Sequence, residues 1–236
     1  VSELICEGGH NQWLDAMHLA SASLPIGGFA YSQGLEQAYE LGVVTDLDSA
    51  QRWIGDFMQL VIARQELPWW IAVWDASAAH DADAISSAAL QLQALRETAE
   101  LRLESRQMAH ALLQVYRQWI DEPSVEGCLS QEVRAALGGD YSAAHAALCA
   151  WRGLSKEIGL TAWLWSWLDN QVLAAVKLVA LGQRDGQCLA HALKPLIGSC
   201  VVSALKTPLS EAATAAYGLA IASARHETQY ARLFRS

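Results

Sequence analysis

Five cysteines and seven histidines offer the most obvious chemistry in this chain, and their spacing makes two pairs. His145 and Cys149 stand four apart, and Cys188 and His191 stand three apart, so each pair would share one face of a helix. Together they compose a Cys2His2 set that could hold zinc or nickel. They lack the loop spacing of a metal knuckle, and the plainer reading is of interior or interface residues. His226-Glu227-Thr228-Gln229-Tyr230 opens like a zinc-protease helix, but Tyr230 stands where the second histidine must be. Gly182-Gln183-Arg184-Asp185-Gly186 lacks the lysine and hydroxyl of a phosphate loop, and neither GxxxxGK[ST] nor GxSxG occurs. No spacing singles out a nucleophile, an acid–base pair or a cofactor cradle. The expectation is a chain with no cofactor that is not an enzyme and works by binding.

Composition narrows what it would bind. Of 236 residues, 53% are hydrophobic and 17% charged, and ten are tryptophan. So little charge means that much of the surface must lie in a core or under a partner. The net charge of −9 opposes a phosphate backbone, so nucleic acid is not expected. Cys6, Cys128, Cys149, Cys188 and Cys200 are odd in number, with no CxxC, which reads as a reduced, cytoplasmic chain. Residues 1–11 show no basic stretch followed by an apolar run, so no secretory leader is expected. The apolar run 161–181 is interrupted by Asp169, Asn170, Gln171 and Lys177, which suits a buried helix and not a membrane span.

The elements that would position these residues are helices. Alanine and leucine are abundant, prolines number five, and no strand–turn–strand pattern appears. The sequence predicts an all-α, single-domain bundle of about ten helices with no significant β-sheet. Asn11 can cap a first helix to Ala20, with Leu14 and Met17 on one face. Pro25 and Gly27-Gly28 break it, and Gly42 ends the next helix. Asp46 or Asp48 starts another, Pro68 restarts the chain, and Asp81 caps a further segment. Leu101, Met108, Leu112, Val115 and Trp119 stripe a helix over 97–120, and Pro123 and Gly127 make a loop. Shorter helices to Leu137 and over 142–151 precede a long central one over 160–181, ended by Gly182. The next runs over 185–205 and is bent or interrupted by Pro195; a last helix covers 211–223.

Four segments stand out. In residues 19–36, Leu24-Pro25-Ile26-Gly27-Gly28-Phe29-Ala30-Tyr31-Ser32-Gln33-Gly34-Leu35-Glu36 makes a glycine corner that could present Phe29 and Tyr31 at a surface. Lys177 is one positive charge in an apolar run, either snorkelling at a helix end or pairing with an acidic partner. The stretch Ala224-Arg225-His226-Glu227-Thr228-Gln229-Tyr230-Ala231-Arg232-Leu233-Phe234-Arg235-Ser236 is basic on an acidic chain and keeps aromatics that a disordered tail would lack. We read it as a docking element, for its own chain or a partner. Residues 96–107 look like a solvated helix face of mixed charge.

These segments resemble the UreF family of urease accessory proteins, and the similarity extends over most of the chain. The resemblance implies an all-helical homodimer that bridges UreD, which contacts the urease apoprotein, and UreG, a nickel-carrying GTPase. GTP hydrolysis by UreG would thereby be coupled to nickel insertion into apo-urease. It also implies that residues 1–236 form one domain with 224–236 as a docking tail. Partner-binding residues would be Phe29, Tyr31, Lys177, Arg225, His226, Glu227, Tyr230, Arg232, Leu233 and Phe234, and neither nucleic acid nor membrane is involved. The alternative is a nickel chaperone that binds metal through the His/Cys pairs.

Overall fold

The computed structural model describes residues 7–117, 129–213 and 216–236, all helical or irregular, with no strand among them. In chain order the helices are α1 (Glu7–Leu19), α2 (Leu35–Glu40), α3 (Leu47–Asp56), α4 (Leu67–Ala78), α5 (Ala82–Ala94), α6 (Ala99–Val115), α7 (Gln131–Gly138), α8 (Tyr141–Trp151), α9 (Lys156–Leu178), α10 (Gln183–Lys206) and α11 (Tyr217–His226). A 3-10 turn, Gly28–Ala30, follows the glycine corner. The expected loop after α6, together with Trp119, lies outside the described residues.

Starts are set by side-chain caps. Asp46, Asp81, Thr98, Ser130, Asp140 and Ser155 each accept a backbone N–H in the first turn of α3, α5, α6, α7, α8 and α9. Asn11 lies inside α1, whose described residues begin at Glu7. Leu14 and Met17 share one face, as expected, and it is the solvent face with Trp13, while Ala16 and Leu19 turn inward. Pro68 does not restart the chain: Phe57–Glu66 is π-helical and joins α3 to α4 without a break. The Leu67 N–H reaches the Ile62 carbonyl, five residues back. The wider turn takes in a proline that has no N–H and whose ring would crowd an α-helical carbonyl. Pro195 likewise sits inside a continuous α10. The central helix ends at Leu178, before Gly182, and Ala180 makes the exit with φ 53°.

One contiguous apolar core runs through the molecule, with α9 at its centre and Trp70, Ile54, Met58, Leu67 and Leu112 fully buried. Trp163 and Trp167 are buried on α9 while Trp165 is partly exposed, as indoles spaced by two on a helix must diverge. α10 is long and apolar enough to cross a membrane by length and composition. In the fold it lays Leu189, Leu193, Ile197, Cys200, Val201 and Ala204 against the body.

Two helical glycines give opposite tests of this packing. A Cβ on Gly159 would sit 2.8 Å from the Trp70 ring and 3.1 Å from Cys149 Sγ, whereas one on Gly198 meets nothing within 4 Å. Alanine gains about 1 kcal/mol over glycine in a helix, but overpacking a closed core costs about 1–3 kcal/mol. Gly159→Ala is therefore expected to lower the melting temperature and Gly198→Ala to raise it. A rise in both would show that the Trp70 ring gives way.

Candidate functional site

The site grows from the glycine corner and the last ten residues. Gly27 and Gly34 hold φ of 78° and 84°, a region glycine enters without cost. Gly28 serves by its size, since a Cβ there would lie 2.6 Å from Asn170 Nδ2 of α9. The corner thus packs on α9 and turns Ser32 and Gln33 toward the end of the chain. The Ser236 carbonyl accepts from the Ser32 amide (2.8 Å), the Gln33 amide (3.1 Å) and Ser32 Oγ (2.6 Å). The Arg235 amide donates to the Ala30 carbonyl at 2.9 Å.

Glu36, at the start of α2, is the centre of this arrangement. Its Oε1 accepts from the Leu233 amide at 2.6 Å and from Gln229 Nε2 at 3.5 Å. Its Oε2 accepts from the Phe234 amide at 2.8 Å and lies 3.2 Å from His226 Nε2. The other ring nitrogen, Nδ1, is 2.6 Å from Glu100 Oε2 of α6. Arg232 donates to Glu100 Oε1 at 2.6 Å. Glu227 Oε1 accepts from the Ala99 amide at 2.7 Å, adding a second cap to the start of α6, where a negative charge is favoured. Deeper in α6, Glu104 accepts from Ser236 Oγ and from Gln33 Nε2, both at 2.6 Å. Trp167 Nε1 donates to Gln33 Oε1 at 2.7 Å, which fixes that amide.

The ten residues expected to meet a partner are divided by this geometry. Tyr31 is 5% exposed and donates to Gln107 Oε1 at 2.6 Å; His226 and Phe234 are also buried. These three hold the chain to itself, because each finds its partners within the fold. Phe29, Lys177, Arg225, Glu227, Tyr230, Arg232 and Leu233 are exposed. Lys177 Nζ stands 5.5 Å from the centre of the Phe234 ring, so the same lysine covers the buried end of the segment and faces solvent. Among the arginines, Arg232 is tied to Glu100 and to two carbonyls of its own turn.

A second polar cluster lies beneath. Arg96 donates to Asp140 Oδ2 at 3.0 Å and to both oxygens of Glu66, at 2.5 and 3.2 Å. Ser142 Oγ donates to Glu66, Ser105 Oγ donates to Asp140, and Asp140 Oδ1 caps α8. The segment 96–107 is therefore not a solvated face throughout: Glu104 and Ser105 are buried and Arg96 is largely enclosed, while Arg102 and Arg106 face water. Spacing hid this, because these charges are satisfied by residues distant in sequence. Glu36 stands inside the glycine segment, and a carboxylate among apolar and small residues was the available signal.

The histidine and cysteine pairs do not converge. His145 and Cys149 sit inside the core, their Nδ1 and Sγ 3.4 Å apart, and Trp70 Nε1 donates to the same Nδ1. Burial pushes His145 down to about 3 and raises the Cys149 thiol, so a neutral ring faces a protonated thiol. Cys188 and His191 lie on the solvent face of α10. Among the described residues no three His, Cys, Asp or Glu side chains are grouped as a metal would need.

This is a helical protein whose buried polar groups fasten its own chain segments and which exposes several large apolar side chains. A family model for UreF matches residues 44–194. The urease accessory protein UreF of Azotobacter vinelandii is 43% identical over 222 residues, covering 93% of this chain and 97% of that protein. Urease accessory protein UreF 2 of Pseudomonas syringae pv. tomato is 43% identical over 223 residues, with the same coverage. UreF of Pseudomonas fluorescens is 40% identical over 231 residues. The chain belongs to the UreF family, and is a non-catalytic accessory protein of urease maturation.

Proposed function

We propose that the chain is the bridging scaffold of the urease-maturation complex. It holds UreD and the GTPase UreG in register, so that GTP hydrolysis by UreG is coupled to nickel insertion into the urease apoprotein. It works in the cytoplasm as a homodimer, with residues 1–236 as one domain, and needs no metal, nucleic acid or membrane. The observation that carries this reading is the divided character of segment 227–236. Its backbone is pinned by Glu36 and by the glycine corner, while Tyr230 is fully exposed and Leu233 is 61% exposed. Large side chains displayed on a pinned segment lose little conformational freedom when a partner covers them. Trp13, Leu14, Met17 and Phe29 add further bare apolar surface of the kind protein interfaces use.

UreD would take the apolar contact through Tyr230 and Leu233, and UreG a more polar one through Lys177 and Arg232. The Tyr230→Ala, Leu233→Ala double variant is expected to weaken capture of UreD by about 2 kcal/mol or more, roughly thirtyfold in Kd. Lys177→Ala is expected to spare UreD and weaken UreG. Binding measured with each partner decides the assignment. Undiminished capture of both partners by the double variant would sink it.

A further inference from the structure

Between α6 and the last residues runs a groove of about 480 Å³. Leu103 and Phe234 line it, with Glu100, Gln107, Arg232 and Arg235 around them. α6 buries Glu104, Ser105 and Met108 on its inner side and turns Leu103 outward, 51% exposed. A leucine held half bare beside an aromatic ring, on a helix that already has its core contacts, is surface free to be covered by something else.

The carboxylates at this place are already engaged. Glu100 accepts from Arg232, and Glu104 accepts from Ser236 Oγ and Gln33 Nε2. Glu227 is turned to the Ala99 amide. Arg235, which is exposed, lies beside the Tyr31 hydroxyl, a neutral group. Lys177 brings a second cation to within 5.5 Å of the Phe234 ring. The charge left for a visitor is therefore positive, on a chain whose net charge is −9.

We infer that this groove receives an acidic, aliphatic segment of UreD, which sets a branched side chain against Leu103 and Phe234 and a carboxylate against Arg235.

The groove is prepared for that contact. Its floor belongs to a helix, and its other wall is pinned through the Leu233 and Phe234 amides to Glu36, so little order is lost when a partner enters. An arginine at the edge of an apolar floor can direct a carboxylate while the floor supplies the burial. Phe234 and Arg235 follow directly on Leu233, so the groove extends the apolar contact assigned above to UreD. The inference rests on that assignment, and it adds Leu103, Gln107 and Arg235 to the surface.

The test uses full-length chains and purified UreD, with Kd measured over a range of salt concentrations. Leu103→Ala is expected to weaken UreD binding about tenfold. Arg235→Gln should weaken it about fivefold or more at low salt and flatten the dependence on salt, because an exposed ion pair is screened. Both side chains face solvent, so both variants should melt with the parent, and UreG should bind each as before. Where Arg235→Gln disturbs the neighbouring Tyr31, Leu103→Ala decides alone, since it leaves the last residues untouched. Undiminished UreD binding by both variants, while Tyr230→Ala with Leu233→Ala still weakens it, overturns the groove and leaves the bridging role standing. Undiminished binding by all of them overturns both. A loss in Leu103→Ala with an unaltered salt dependence in Arg235→Gln overturns the acidic partner. Weakened capture of UreG in place of UreD overturns the assignment to UreD.

Discussion

Arg96→Ala should lower the folding stability of this protein by about 3–5 kcal/mol, the largest loss expected from a single change in its polar clusters. Burial by itself would make the guanidinium release its proton more easily, but Asp140 and Glu66 more than reverse this and raise its pKa. Remove it, and two enclosed carboxylates keep only serine hydroxyls and the amides at the start of α8. The cost comes from the stranded charge more than from the lost attraction. Arg96→Met combined with Glu66→Gln and Asp140→Asn should therefore recover most of what Arg96→Ala loses. Urea denaturation measures both. A loss under about 1 kcal/mol for Arg96→Ala would mean that water reaches the cluster.

Glu36→Ala is expected to have the second largest effect, about 2–4 kcal/mol, concentrated in segment 227–236. Two backbone amides and His226 lose their acceptor at once. The body of the fold keeps its core, so global unfolding should shift less than local opening. Hydrogen exchange should show protection lost at Leu233 and Phe234 and kept in α9. Equal loss in both places would mean that the segment unfolds only with the whole protein.

Helical periodicity and caps made the skeleton legible in the sequence. Asp46, Asp81 and Gly42 sit where the sequence placed them, since each acts on its immediate neighbours. Pro68 misled because its usual effect on an α-helix is absorbed by the π-helical stretch ahead of it, which no local rule anticipates. The candidate site was half legible. The glycine corner and the last residues each stood out, but nothing in either segment said that they bind one another. That pairing rests on Glu36, Glu100 and Glu104, whose partners in the last residues lie far away along the chain. Phe234 is buried by the same contacts and Tyr31 by its bond to Gln107, and residue type alone could not say whether they would dock on their own chain or on a partner.

The π-helical stretch Phe57–Glu66 sets the phase of everything after it. Each α-helical residue turns the chain by about 100°. Winding the same ten residues as an ordinary α-helix would over-rotate the chain and swing Trp70 and Val73 off the interior. The surplus residue stored in those wide turns is thus a mechanical shim: it lets two amphipathic halves, each correctly patterned but out of step, face the same interior.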